Sequence, residues 1–165
     1  MVYFIVEGQT DKALIQNILK NESDFKFIGL KGDGSVIKEI EKLNDKDLSE
    51  NKYFAIIDAD KSFEDRNQDM RRLTKDKDIN FYIFPNHKDD GNLETLLLSK
   101  IEIENKILKC FDDYKQCVEK DIDNKAKLYA YTTLEFDLKP EEYIKTLDLK
   151  NDFDELKQKL TNLFN

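Results

Sequence analysis

At 165 residues the chain is long enough for one hydrophobic core and too short for two ordinary domains, although a core of about 100 residues leaves room for an appendage. Hydrophobic residues make up 39% and charged residues 38%, with eleven Phe and seven Tyr, a mixture that excludes a disordered or fibrous chain. The formal charge of −8 opposes non-specific adhesion to DNA, RNA or anionic membranes, so any nucleic-acid contact has to be local or bridged by metal.

Residues 2–6 form a continuous apolar run that ends in Glu7-Gly8, the pattern of a central parallel strand buried on both faces. Thr10 reads as the cap of a helix with Leu14, Ile15, Ile18 and Leu19 on its buried side and Asp11 in its first turn. A second strand is predicted over 26–30. The loop Lys31-Gly32-Asp33-Gly34-Ser35 follows, Gly-rich but without the Gly-Lys-Ser/Thr ending of a P-loop, and then a helix burying Val36, Ile37, Ile40 and Leu43. Residues 53–57 make a third apolar strand, closed by Asp58-Ala59-Asp60, with a charged helix over 62–75 after it. A fourth strand over 80–84 stops at Pro85. The polar segment 87–92 reads as a loop bordering a site, before a short apolar helix over 93–98.

From Ile101 the pattern is helical only. Ile103, Ile107, Phe111, Tyr114 and Val118 form one stripe, residues 126–134 a second helix, and Phe153, Leu156, Leu160 and Leu163 a third. Alternating strands and helices of this length predict an α/β fold, a four-stranded parallel sheet flanked by helices with right-handed crossovers. Residues 1–100 are the expected core and 101–165 a helical extension packed on it, within a single compact domain.

No apolar run approaches the roughly 20 residues that span a bilayer, and the start of the chain lacks the basic flank of a signal peptide. The reading is a soluble, cytoplasmic protein. Cys110 and Cys117 fit that address as reduced thiols, since seven helical residues hold them about 10 Å apart, too far to bridge. No Cys-x-x-Cys supports a zinc site.

Ligands in parallel sheets bind beyond the carboxyl ends of the strands, and Glu7, Asp58 and Asp60 all fall there. If the two strands before them are neighbours, the three acids converge. Such a cluster is costly unless protons or cations neutralise it, and oxygen-only ligands select a hard cation, Mg²⁺ or Mn²⁺, over zinc. Acids are also common in turns after strands, so Asp58-x-Asp60 alone is a weak signal.

The segments Phe4-Ile5-Val6-Glu7-Gly8 with Thr10-Asp11-Lys12, and Phe54-Ala55-Ile56-Ile57-Asp58-Ala59-Asp60, each stand between a strand and a helix. Together they resemble the Toprim superfamily, which includes catalytic domains of topoisomerases and bacterial primases, small ribosomal-RNA maturation nucleases and OLD-family nucleases. The resemblance covers about residues 1–100. Its flavour is that of small stand-alone Toprim-like proteins with a Pro-Asn loop and a Gly-x-Leu-Glu motif, here Pro85-Asn86 and Gly91-Asn92-Leu93-Glu94.

The resemblance implies that Glu7 is a metal ligand or general acid-base and that Asp58 and Asp60 are the paired metal-binding aspartates. Asp11 and Glu94 resemble further acids of OLD-type nucleases, which implies a second metal position. The plain alternatives are a first-turn acid suited to the helix dipole and an early helical acid. Lys127, with Lys125, falls where OLD-like enzymes carry a functional lysine, against the alternative of a solvated face. Gly8 reads as a positive-φ turn whose amides meet a phosphate, with Lys12 beside it, and His87 as a loop histidine near the site.

The function implied is Mg²⁺- or Mn²⁺-dependent phosphodiester hydrolysis of the nuclease type, on DNA or RNA. A topoisomerase is disfavoured because no separate domain presents a nucleophilic tyrosine, and a primase because zinc-ligand spacing and a basic track are missing. The alternative is a non-catalytic or partner-dependent Toprim-like module, for example the effector subunit of a defence system linked to an ABC-type ATPase. A third reading is an acid cluster that is a residue of ancestry. Substrate and oligomeric state stay open.

Overall fold

The computed structural model describes residues 1–29, 36–101, 105–119, 122–149 and 153–164. The chain runs β1 (Val2–Ile5), α1 (Gln9–Ile18), β2 (Phe25–Ile28), α2 (Val36–Lys42), α3 (Asp45–Glu50), β3 (Lys52–Asp58), α4 (Phe63–Thr74), β4 (Ile79–Phe84) and α5 (Leu93–Ser99). It continues through α6 (Lys106–Val118), α7 (Asn124–Phe136), α8 (Pro140–Thr146) and α9 (Asp154–Thr161). All four strands are parallel, in the order β2-β1-β3-β4, an α/β Rossmann-like sheet with helices on both faces.

The period-two alternation of a strand sorts the core into two layers. Val2, Phe4, Phe54, Ile56, Tyr82 and Phe84 point to one face, where they meet Leu14 and Ile15 of α1, Leu93 and Leu97 of α5, Leu128 of α7, Ile144 of α8 and Leu156 and Leu160 of α9. Ile5, Tyr53, Ala55, Ile57, Ile79 and Ile83 point to the other, against Val36 and Ile40 of α2 and Met70 of α4. Each fully buried Leu, Ile or Phe contributes about 1.5–3 kcal/mol, so this double burial explains why the strands read as unbroken apolar runs. The C-terminal helices join the layer that already holds α1. Asn17 of α1 fixes that docking by donating its side-chain N–H groups to the carbonyls of Ile144 at 2.8 Å and Leu147 at 3.0 Å.

Several predicted details differ. The second strand starts one residue earlier, and Leu30 with the loop 31–35 lies outside the described residues. Gly8, not Thr10, caps α1, because the Asp11 carboxylate accepts the Gly8 N–H and leaves Thr10 inside the helix. On α6 the buried residue is Leu108, whereas Tyr114 of the predicted stripe is 57% exposed and Ile103 lies outside the described residues. Ile107 of the stripe packs, partly buried, against the same core layer, which Leu108 shares with Leu128 and Tyr131 of α7, and Phe111 and Val118 are partly buried. The polar α3 buries nothing and α8 buries only Pro140 and Ile144, so neither has an apolar stripe to betray it. Cys110 and Cys117 are exposed and free. Among the described residues no helix is long and apolar enough to cross a membrane.

Candidate functional site

The strand order reverses between β1 and β3, and these two strands are neighbours. Ile5 pairs with Ala55, so Glu7 and Asp58, two and three residues further on, leave the sheet side by side in the crevice at its carboxyl edge. Asp58 has the same parity as Phe54 and Ile56, which aims it at the layer of α1 and α5. There it meets two more acids.

Asp11 stands in the first turn of α1, buried, with Oδ2 accepting the Gly8 N–H at 2.9 Å. Glu94 stands in the first turn of α5, only 2% exposed, with Oε1 accepting the Thr10 hydroxyl at 3.3 Å. Its Oε2 is buried without a hydrogen-bond partner. Asp58 Oδ1 accepts the Leu93 N–H at 3.2 Å, which sets the start of α5 against the end of β3.

Crowding and burial raise the proton affinity of Asp58, Asp11 and Glu7. Asp58 is pushed up to about 8, by burial first and then by the charges of Asp11, Glu7 and Glu94. Asp11 is pushed up to about 7, again chiefly by burial, against the opposing hydrogen bond from Gly8. Glu7 is raised by burial and by Asp60. Lys125 of α7 faces the same group: burial would lower its pKa, but Glu94, Asp58, Asp11 and Glu7 outweigh burial and hold the ammonium charged.

Asp60 is exposed and takes a left-handed φ of 54°. Its N–H donates to the Gly91 carbonyl at 2.7 Å and its carbonyl accepts the Gly91 N–H at 2.8 Å, while Oδ2 accepts from Arg66 Nη2 at 3.1 Å. Gly91 has to be glycine, since its φ is 124° and an added Cβ would lie 3.1 Å from Thr95 Oγ1.

A family model described as "Protein of unknown function (DUF3226)" matches residues 2–165. The chain belongs to that family. No protein of curated description matches the DUF3226 chain. No solved structure matches it either.

The DUF3226 fold thus draws Glu7, Asp11, Asp58, Asp60 and Glu94 into one electrostatic group with Lys125. It leaves others outside. Lys127 is held by Asp112 of α6 at 2.6 and 2.7 Å, since one helical turn carries two lysines two residues apart to different faces. Lys12 lies 5.7 Å from the Phe27 ring centroid, in cation–π contact. Gly8 has an extended φ of −141°, not a positive one, because the chain enters α1 through an ordinary N-cap, and its N–H is engaged by Asp11. His87 Nδ1 accepts the Ile83 N–H and its ring stacks on Tyr82; burial lowers its pKa, and the charges that act on it are Lys159 and Glu155 of α9 and Arg71 of α4.

Sequence reasoning missed Thr10 as a partner of Glu94, and Arg66. The signal for Arg66 was present: lysines outnumber arginines 24 to three, and all three arginines fall between residues 66 and 72.

Proposed function

We propose that this chain is a divalent-metal-dependent phosphodiesterase of the nuclease type, with a Toprim-like arrangement of acids. The observation that carries the reading is the electrostatic coupling of Glu7, Asp11, Asp58 and Glu94, with Asp60 coupled to Glu7, in a group where the buried Glu94 Oε2 has no hydrogen-bond partner. An orphaned buried oxygen in an all-oxygen donor set fits Mg²⁺ or Mn²⁺. Glu7, Asp58 and Asp60 are the residues for one ion, and Asp11 with Glu94 for a second. Among the described residues no three acidic, His or Cys side chains stand close enough to hold an ion in their present rotamers. Asp11, Asp58 and Asp60 each accept a hydrogen bond through one oxygen, which leaves the second oxygen of each carboxylate for an ion once the side chains turn toward one another.

A bound ion supplies neutralising charge and Lewis acidity toward a phosphodiester oxygen. The chain's own groups do the rest. Glu7, half-buried at the carboxyl end of β1, is placed either to complete the ligand set or to take the proton of an attacking water. Lys125 keeps its charge among the carboxylates and can balance the negative charge that grows on the phosphoryl oxygens. The test is thermal unfolding of wild type and an Asp58→Asn, Asp60→Asn variant across Mg²⁺ and Mn²⁺ titrations, followed by incubation with labelled DNA and RNA strands. Metal should stabilise wild type alone, by about 2.7 kcal/mol at a hundredfold excess over Kd, and only wild type should cleave. A wild type that neither ion stabilises ends this reading.

A second reading, a module that works only with a partner such as an ATPase subunit, is favoured by Tyr129, Leu134 and Phe136 of α7, which are 51%, 71% and 45% exposed. Metal-stabilised wild type that cleaves neither DNA nor RNA alone would favour it.

A further inference from the structure

Beside Asp60 opens a groove of about 860 Å³, walled by the loop after β3, the start of α4, Asn92 and Thr95 of α5, and the approach to α7. Its cations are Lys61, Arg66 and Lys115, against four aspartates that include Asp60. With three cations against four aspartates the groove has no surplus of positive charge, which the closely spaced phosphates of a duplex track call for, and it has room for a short stretch of one strand.

Arg66 stands out among the cations. The chain uses lysine almost everywhere and places its three arginines on α4 alone. Arg71 bonds Asn67 and Arg72 bonds Asp69, both within the helix, whereas Arg66 reaches out of the helix to Asp60. Arg66 lies in the first turn of α4, where the helix dipole favours acids, so local helix stability does not account for a cation there. Its pair with Asp60 is partly exposed, 31% on the arginine side and 52% on the aspartate side, and pairs open to water contribute little to the fold. A planar guanidinium that meets one carboxylate oxygen through one nitrogen retains the fork that grips two phosphate oxygens.

We propose that Arg66 is the phosphate-binding residue of this site. It holds Asp60 while the site lacks cation and substrate, and it turns to the non-bridging oxygens of a phosphodiester in the groove once Asp60 becomes a metal ligand. The substrate class that follows is the end of a single strand, which presents one phosphodiester to the groove. The inference rests on the metal-dependent reading above.

The experiment uses the full chain and two readouts that need no turnover. One is fluorescence anisotropy of a fluorescein-labelled single-stranded oligonucleotide in Ca²⁺; the other is the Mn²⁺ concentration that gives half the maximal thermal shift without oligonucleotide. Arg66→Gln should weaken oligonucleotide binding about tenfold, the loss of one charged hydrogen-bonding group. It should also lower the Mn²⁺ midpoint, because Asp60 loses a competing cation. Arg66→Lys should restore the Mn²⁺ midpoint but not the oligonucleotide affinity, since it keeps the charge and loses the fork. Unchanged oligonucleotide binding by Arg66→Gln, or loss of both responses together as a merely structural residue would give, overturns the role of Arg66 and leaves the metal site standing. Absence of any Mn²⁺ response in wild type overturns both.

Discussion

Leu93 donates its backbone N–H to Asp58 Oδ1 at 3.2 Å, so the last residue of β3 is bonded to the first residue of α5, next to the buried Glu94. That bond holds two carboxylates together in a layer otherwise filled by Phe4, Leu14, Phe54 and Leu93. Without a cation, the arrangement is tolerable because Asp58 retains its proton up to about pH 8. Asp58→Asn keeps an acceptor for Leu93 and removes the need for a proton. At pH 8 in EDTA it should be more stable than wild type by about 1–2 kcal/mol, a rise of roughly 3–6 °C in Tm, while its response to Mn²⁺ disappears. Calorimetry of the two proteins with and without Mn²⁺ measures both effects, and a metal-free variant less stable than wild type would contradict the argument.

The pH dependence follows with a definite sign. Asp58 and Asp11 bind protons more tightly folded, up to about 8 and about 7, than in the unfolded chain near 3.9. Their contribution to stability is therefore fully present below about pH 4 and is lost as pH rises through 7 to 8. In EDTA the advantage of wild type over a double Asp11→Asn, Asp58→Asn variant should shrink and reverse between pH 5 and 8, by an amount on the order of a few kcal/mol. Urea midpoints at three pH values test it. On the proposed metal-dependent reading, saturating Mn²⁺ should invert the trend, because ion and proton would compete for the same oxygens.

The sheet and its two-sided burial were legible because parallel strands write themselves as unbroken apolar runs, and the strand-end acids because Glu7, Asp58 and Asp60 sit where such runs stop. The neighbouring of β1 and β3 was not, since strand order is decided by crossovers that leave no local mark. Which lysine faces the acids also stayed hidden: Lys125 and Lys127 differ only in helical phase, and the phase of α7 is set by Leu128 and Tyr131 packing against elements far away in sequence. Arg66 was visible as a composition anomaly, but its reach to Asp60 depends on the left-handed turn at residue 60. The six-residue α3 and seven-residue α8 lack the apolar period by which a helix announces itself.

The two lysines separate cleanly by experiment. Lys125→Ala removes the cation that faces Glu94, Asp58, Asp11 and Glu7, and under the proposed function should reduce turnover by about 10²-fold or more while Mn²⁺ binding is kept and its midpoint falls, since a competing cation is gone. Lys127→Ala breaks a partly exposed pair with Asp112, should cost no more than about 1 kcal/mol of stability and should leave turnover within about twofold. Equal losses of turnover in both variants would return Lys127 to the site.

Two glycines border the site for different reasons, and alanine tells them apart. At Gly91, with φ of 124°, alanine forces strain and a contact of 3.1 Å to Thr95, so it should cost about 1–3 kcal/mol and disturb the backbone bridge that fixes Asp60. At Gly8 the backbone is extended and an added Cβ would find only ordinary contacts of 3.7 Å to Asp11 and Thr10, so the fold should lose no more than the roughly 1 kcal/mol that alanine costs at an N-cap. Neither sterics nor φ therefore requires glycine at position 8. If Gly8→Ala keeps its thermal stability and its Mn²⁺ response yet binds the single-stranded oligonucleotide more weakly, the bare backbone there serves the close approach of a phosphate. Unchanged oligonucleotide binding would leave Gly8 no part in the site beyond its N–H bond to Asp11.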